Sequence, residues 1–316
     1  MLSKSELTVL SHLSADVEDY LIQRALADAL GWDPGHTSRV VSKLAERGLV
    51  RREQQHGRYE IALSNAEPSI RFADLVREFP HVDFSALLSG STIKLLFHLD
   101  EERTAAALAE RAGVSRATVY RRLNQLQNVG MVTKRDARFA VTSQFEEVVA
   151  FALSLVSHLH RQEAAEHTSG VRLIWTDVDE YLMRCQTSIS LASFHETGPK
   201  ALDQYGIPLL TRDEHYYFRS EDRTELTPAD LVCQLLLIDD GARYRSYCLL
   251  LITAQDLDVE TLSQTAERYD RVADIDLQSM TQELCAYLES NGAESSEKLP
   301  AWDAFKSTAA DYDISV

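Results

Sequence analysis

Lysine is scarce in this sequence: 7 lysines stand against 25 arginines in 316 residues. Cysteine is scarce too. Cys185, Cys233, Cys248 and Cys285 lie far apart with no C-x-x-C spacing, which argues against a zinc site or a disulfide framework and for buried free thiols. No apolar run reaches the roughly 20 residues that a membrane span needs. The opening MLSKSELTVLSHL lacks a secretory signal pattern, so a soluble, cytoplasmic protein is expected. Neither G-x-x-x-x-G-K-S/T nor G-x-G-x-x-G occurs, and there is no G-x-S-x-G elbow to present a nucleophile. No catalytic residue, metal ligand or cofactor is expected.

Carboxylates, by contrast, are in excess. The net charge is −17 and unevenly spread: residues 1–170 hold 20 Lys/Arg and 22 Asp/Glu, residues 171–316 hold 12 and 27. The balance is thus −2 in the first part and −15 in the second. Many carboxylates with few lysines resemble the proteins of halophilic archaea; an ordinary acidic bacterial protein is the alternative. In molar salt the Debye length is only about 3 Å, and counterion release adds little affinity. An acidic total is then weak evidence against DNA binding.

The most informative stretch is TAAALAERAGVSRATVYRRLNQLQNVGMV, residues 104–132, which reads as a helix-turn-helix running into a strand. Leu108 and Ala109 face inward on a first helix, and Gly113 takes the turn, where positive φ is cheap without a side chain. Ser115 caps a second helix whose Val119, Leu123 and Leu126 form one buried stripe. Arg116, Thr118, Arg121, Arg122 and Gln125 make up its other face, which suits the major groove of DNA.

The stretch has an internal copy. Shifted by 82 positions, ALADALGWDPGHTSRVVSKLAERGLV lies over ALAERAGVSRATVYRRLNQLQNVGMV without a gap, keeping the turn, cap, stripe and exit glycine. In this first copy Asp33-Pro34 opens the second helix, and His36, Ser38, Arg39, Ser42 and Lys43 lie outward. Each copy is followed by two β-prone runs. Gln55-His56-Gly57 makes the first hairpin turn, with Arg51, Arg52 and Arg58 around it; Asp136-Ala137 makes the second, with Lys134, Arg135 and Arg138. A hairpin directly after a recognition helix is a wing, whose arginines commonly touch phosphate or enter the minor groove. A solvated edge strand accounts for the same arginines equally well.

The expected fold is α+β, mostly helical: two winged helix-turn-helix domains, a long connecting helix and a C-terminal α+β domain. The expected boundaries are 1–64 and 91–142 for the winged units, 65–90 for a connector with a short helix, 143–169 for the long helix and 170–316 for the acidic last domain. VEDYLIQRALADAL reads as one helix. The long helix has an apolar face from Phe145 to Leu159 that must pack on the second winged unit, the last domain or its twin in a dimer. In the last domain VRLIW reads as strand, TDVDEYLMRC as the start of a helix, and FHETGPKALDQYG as helix and turn. IPLLT and HYYFRS read as a hairpin across Arg212-Asp213-Glu214, and RYRSYCLLLI as strand or buried helix. His195-Glu196 and Asp213-Glu214-His215 across that hairpin form the one constellation that suits a metal or an acid/base pair; a surface turn in an acidic domain explains them better.

The two copies resemble the winged helix-turn-helix domains of MarR-like and ArsR-like transcription regulators. GVSRATVYRRLNQLQNVGMV carries most of the likeness and GHTSRVVSKLAERGLVRRE supports it. The resemblance implies double-stranded operator DNA as partner, a homodimer, and contacts from Ser115, Arg116, Thr118, Arg121 and Arg122, and from His36, Ser38, Arg39 and Lys43. Pro34-Gly35 departs from the usual polar start of a recognition helix, which points to weaker reading or a packing role for the first copy. GPKALDQYGIPLL and LTPADLVCQLLLI resemble the C-terminal part of AbiE-type antitoxins, whose partners are nucleotidyltransferase-like toxins. The leading expectation is a non-enzymatic, sequence-specific transcription regulator, a repressor. The alternatives are an antitoxin and autorepressor, a protein-interaction module without DNA binding, and an enzyme tethered to DNA. The last domain would dimerise, sense a small-molecule effector or hold a toxin.

Overall fold

The computed structural model describes residues 1–15, 20–209, 214–269, 275–294 and 296–316. They divide into two compact units, Met1–Gln162 and Glu163–Val316.

The first unit opens with α1 (Lys4–Ala15), started by a reciprocal cap in which the Ser3 amide donates to Glu6 and the Glu6 amide to Ser3. β1 (Leu21–Ile22), α2 (Gln23–Leu30), α3 (Pro34–Glu46), β2 (Val50–Gln55) and β3 (Arg58–Leu63) follow, with antiparallel strand order β1-β3-β2. The expected helix 17–30 therefore starts only at Gln23. Leu21 and Ile22 pair with Ile61 and Glu60 of the wing instead, and residues 16–19 lie outside the described residues. After α4 (Glu67–Glu78) and α5 (Phe84–Leu87) the pattern repeats: α6 (Ser91–Phe97), β4 (Arg103–Thr104), α7 (Ala105–Arg111), α8 (Arg116–Asn128), β5 (Val132–Arg135) and β6 (Arg138–Val141), in strand order β4-β6-β5. The 82-residue offset is kept at the first residue of β1/β4, α2/α7, α3/α8 and β2/β5, so the sequence repeat is a structural one.

The stretch 65–90 is built into the core. Pro68 opens α4 within its first turn, and Phe72 packs on Phe84 and on Phe151 of α9 (Glu147–Ala165). Phe79 stacks on Phe145, with ring centroids 4.5 Å apart. Arg71 pairs with Glu67 and Glu147, and His158 of α9 hydrogen-bonds the Arg47 carbonyl at the end of α3. Val148, Phe151, Ala152, Leu155 and Val156 are all buried. The long helix thus buries its apolar stripe within the chain, with contacts to α4 and the end of α3, and needs no twin for that purpose.

The second unit has a four-stranded antiparallel sheet, β7 (Arg172–Thr176), β8 (Tyr181–Cys185), β9 (Phe194–Thr197) and β10 (His215–Arg219), in order β7-β8-β10-β9. Trp175, Leu182 and Phe218 on one face join the main core with α10 (Pro228–Ile238), α11 (Ala242–Gln255), α12 (Val259–Ala266), α13 (Leu277–Glu289) and α14 (Trp302–Asp311). Tyr181, Met183, Cys185 and Tyr217 form a smaller core on the other face. The helix expected from Thr176 is β8: it lies between two strands with both faces covered, so no period-2 polarity marks it. Phe194–Thr197, expected as helix, pairs with β10, and the helical piece is the 3₁₀ turn Pro199–Tyr205. Ile207–Leu209 joins no strand, residues 210–213, with Arg212 and Asp213, lie outside the described residues, and the expected strand HYYFR is β10. The ambiguous run 243–252 is helix α11. All four cysteines are free and buried.

At the head of α10 a capping box joins Thr227 and Asp230. Asp230 is buried with Arg223 at 2.8 Å and the Tyr269 hydroxyl at 2.9 Å, and Tyr269 accepts from Gln234. Burial raises the Asp230 carboxyl, but bonds from Thr227 and the Arg223 charge outweigh it and hold the group below its ordinary value. This network ties the head of α10 to Arg223 and Tyr269.

Candidate nucleic-acid interface

In the second winged module the Ser115 hydroxyl accepts from the Thr118 amide at 3.2 Å and lies 3.0 Å from the Thr118 hydroxyl, so these two side chains cap one another at the head of α8. Val119, Leu123 and Leu126 are fully buried, as their spacing requires. The exposed residues of α8 are Arg116, Ala117, Tyr120, Arg121, Asn124, Gln125 and Asn128. Arg116 and Arg121 make no side-chain hydrogen bond or ion pair among the described residues. Arg122 is half-buried: its Nε is enclosed without a partner, one Nη lies near Gly90, and the other reaches Gln125 at 3.4 Å. The wing turns at Asp136-Ala137, both at positive φ (45° and 67°), and exposes Lys134, Arg135 and Arg138. Lys134 lies over Phe139 and Tyr120, Arg138 reaches the Glu102 carbonyl, and Arg135 is unengaged among the described residues.

The first module places the same elements differently. Asp33 caps α3 by accepting from the Gly35 and His36 amides at 2.8 and 3.2 Å, so a carboxylate stands where the second module has a hydroxyl. Arg52 of the wing turns inward. Its guanidinium donates to Gln23 (3.0 Å), Ser42 (3.0 Å) and Ser38 (3.4 Å) and lies 3.8 Å from the centre of the Tyr59 ring. Two serines on the outward side of α3 are thereby tied to the wing. Lys43 lies 3.9 Å from the buried Glu6, which Arg47 also holds at 2.7 Å. Arg39 donates to the Gly35 carbonyl, Arg51 to the Leu63 carbonyl, and His36 sits edge-on to Trp32. Of the cations on α3 and this wing, Arg58 near the tip is unengaged among the described residues.

Tyr120 is the residue that sequence reasoning passed over. A tyrosine beside a buried stripe reads as core, yet it is 45% exposed and packs edge-on against Phe139 of the wing, at the junction of helix and wing. In the last unit, His195 and His215 do not meet. Strand register sets His195 opposite Phe218 and His215 opposite Cys185, on opposite faces of the sheet. Among the described residues no group of three or more His, Cys, Asp or Glu side chains is placed to hold a metal, and no helix is long and apolar enough to cross a membrane.

This arrangement has counterparts. A family model for the MarR family matches residues 2–58, and one for a helix-turn-helix domain matches residues 87–135. Two helix-turn-helix domains stand in tandem. The MarR-type match runs from α1 into the first wing, and the second match spans α6 to β5. A third model, for a C-terminal domain, matches residues 191–314. No curated protein matches the chain. The AbiE-type likeness of the last domain has no counterpart among these matches. Domains of the two matched helix-turn-helix types make up DNA-binding transcription regulators.

Proposed function

We propose that this tandem helix-turn-helix protein is a sequence-specific transcription regulator, a repressor, in which the second module reads DNA and the first chiefly supports it. The observation that carries this reading is the outward face of α8, where Arg116 and Arg121 are exposed and unengaged beside the wing residue Arg135. An arginine with a free planar fork suits the O6/N7 edge of guanine, and a wing cation suits phosphate or the minor groove. Ser115, Thr118 and Gln125 sit at the edge of the same face. In the first module Ser38 and Arg52 are bonded to one another, so His36, Arg39, Lys43, Arg51 and Arg58 remain for phosphate contacts. A repressor of this kind binds as a homodimer on a two-fold site.

The test is to mix the purified protein with sheared genomic DNA in molar KCl and sequence what is retained. A few strongly enriched sites with two-fold symmetry are expected, and a reporter carrying one of them should fall when the protein is expressed. No enrichment at any salt concentration would overturn the reading.

A further inference from the structure

The second unit contains a polar cavity of about 380 Å³ between the ends of β8 and β10, the 3₁₀ turn after Gly198, and the junction of α10 with α11. Its size is that of small-molecule sites, which run from about 300 to 1,000 Å³. Three cations line it, Arg184, Lys200 and Arg243, with Glu214 and Asp239 and the hydroxyls of Tyr216 and Tyr244. Residues 171–316 hold only 12 Lys/Arg against 27 Asp/Glu, so a lining with more cations than carboxylates runs against its surroundings.

The carboxylates in the lining are already used. Glu214 accepts from Arg184 at 3.1 Å and from the Tyr216 hydroxyl at 2.9 Å, and Asp239 accepts from the Gly241 amide at the head of α11. Lys200 is held by Glu196 at 2.6 Å, but both side chains are about half exposed, and a pair of that kind is weak. The tyrosines form a fixed floor. Gly198 lies so close to Tyr216 that a Cβ there would come within 2.9 Å of the ring, and the Tyr244 ring packs against that of Tyr247. Burial, then the bond to Glu214, pushes the Tyr216 phenol up, and burial does the same for Tyr244, so both stay neutral, with the Tyr216 proton given to Glu214.

We infer that this cavity binds a small organic acid, with its carboxylate on Lys200 and Arg184 and its body against Tyr216 and Tyr244. The polar lining disfavours an apolar ligand. With three cations against two carboxylates in the lining, a cationic ligand is disfavoured.

The test uses the full chain in KCl of fixed ionic strength, with acetate, benzoate, pyruvate, glutamate and inorganic phosphate as separate probes. Thermal unfolding and calorimetric titration are read in the unaltered protein, in Lys200→Glu and in Arg184→Gln, each first checked for native circular dichroism. At least one carboxylate should raise Tm by about 2 °C or more, and the affinity should fall at least about tenfold in either variant, as the loss of a charged partner requires. No response to any carboxylate, a response to phosphate alone, or a response in Lys200→Glu and Arg184→Gln undiminished from that of the unaltered protein would overturn the assignment. DNA binding plays no part in the measurement, so the result is independent of the proposed function.

Discussion

The two winged modules share a chain path and differ in where their charges go. α3 and α8 each run for 13 residues from a capped start, and each is followed by a hairpin. Yet the first helix begins on the Asp33 carboxylate and its wing arginine Arg52 is spent on Gln23, Ser38 and Ser42. The second begins on the Ser115 hydroxyl and leaves Arg116 and Arg121 in solvent. A backbone duplicated with such fidelity can therefore carry two roles. An arginine held by three neighbours must give them up before it can meet a base, whereas an unengaged one loses only water and side-chain freedom.

The comparison breaks most visibly if the arginines of the two helices are removed in turn. Arg121→Ala should weaken binding to a selected operator by about 1–3 kcal/mol, the worth of a bidentate base contact, and Arg116→Ala should act in the same direction. Arg39→Ala should cost clearly less in the same titration. Equal losses from Arg39 and Arg121 would put both modules on the bases and end the division of labour.

Stability should show the opposite asymmetry. Arg52→Ala removes a charged donor shared by three side chains and a ring contact, and should lower the unfolding free energy of the first unit by about 1–2 kcal/mol in urea denaturation. Its effect on operator affinity should be smaller than that of Arg121→Ala. An Arg52→Ala protein of normal stability and poor DNA affinity would mean that the guanidinium leaves its serines for DNA.

Exchanging the caps probes the electrostatic part. Ser115→Asp keeps an N-cap acceptor but sets a negative charge at the head of α8, and should cost about 1 kcal/mol of DNA affinity at low salt, fading as salt screens it. Asp33→Ser should change affinity by less. If neither exchange shows any salt dependence, the helix heads do not approach phosphate.

The smallest effect concerns the wing turns. The first places Gly57 at φ 77°, where the second places Ala137 at φ 67°. Left-handed backbone costs an L-residue about 1–2 kcal/mol, and the extra chain entropy of glycine offsets about 0.5–1 kcal/mol of that. Ala137→Gly should therefore raise stability by up to about 1 kcal/mol, read as a higher urea midpoint, without changing operator affinity.

Much of the frame was legible in the residues. The ungapped repeat, the caps at Asp33 and Ser115, the stripe Val119/Leu123/Leu126 and both hairpins follow from local rules of spacing, capping and turn chemistry, which act within a few residues. The last unit was less legible. β8 is covered on both faces and α11 carries the unbroken buried apolar run Cys248–Ile252, and in such segments the period that distinguishes strand from helix is absent.

Local rules also stop at the edges of a helix face. The sequence by itself determined that α8 buries one stripe and shows another, because the 3.6-residue period does so whatever lies nearby. It could not determine that Arg122 leans on Gly90 while Tyr120 stands in solvent against the wing, since those neighbours are 32 residues back and 19 residues on. Nor could it determine that Arg52 would be spent and Arg121 free. Both are wing or helix arginines by spacing, and only the tertiary placement of Gln23, Ser38 and Ser42 within hydrogen-bonding reach decides between a structural clasp and an available contact. The long helix shows the same limit on a larger scale. Its apolar face demanded a partner from sequence alone, and the fold supplied one in Phe72 of α4 and the end of α3, because closing a loop of some 80 residues within the chain costs little more entropy than closing a short one.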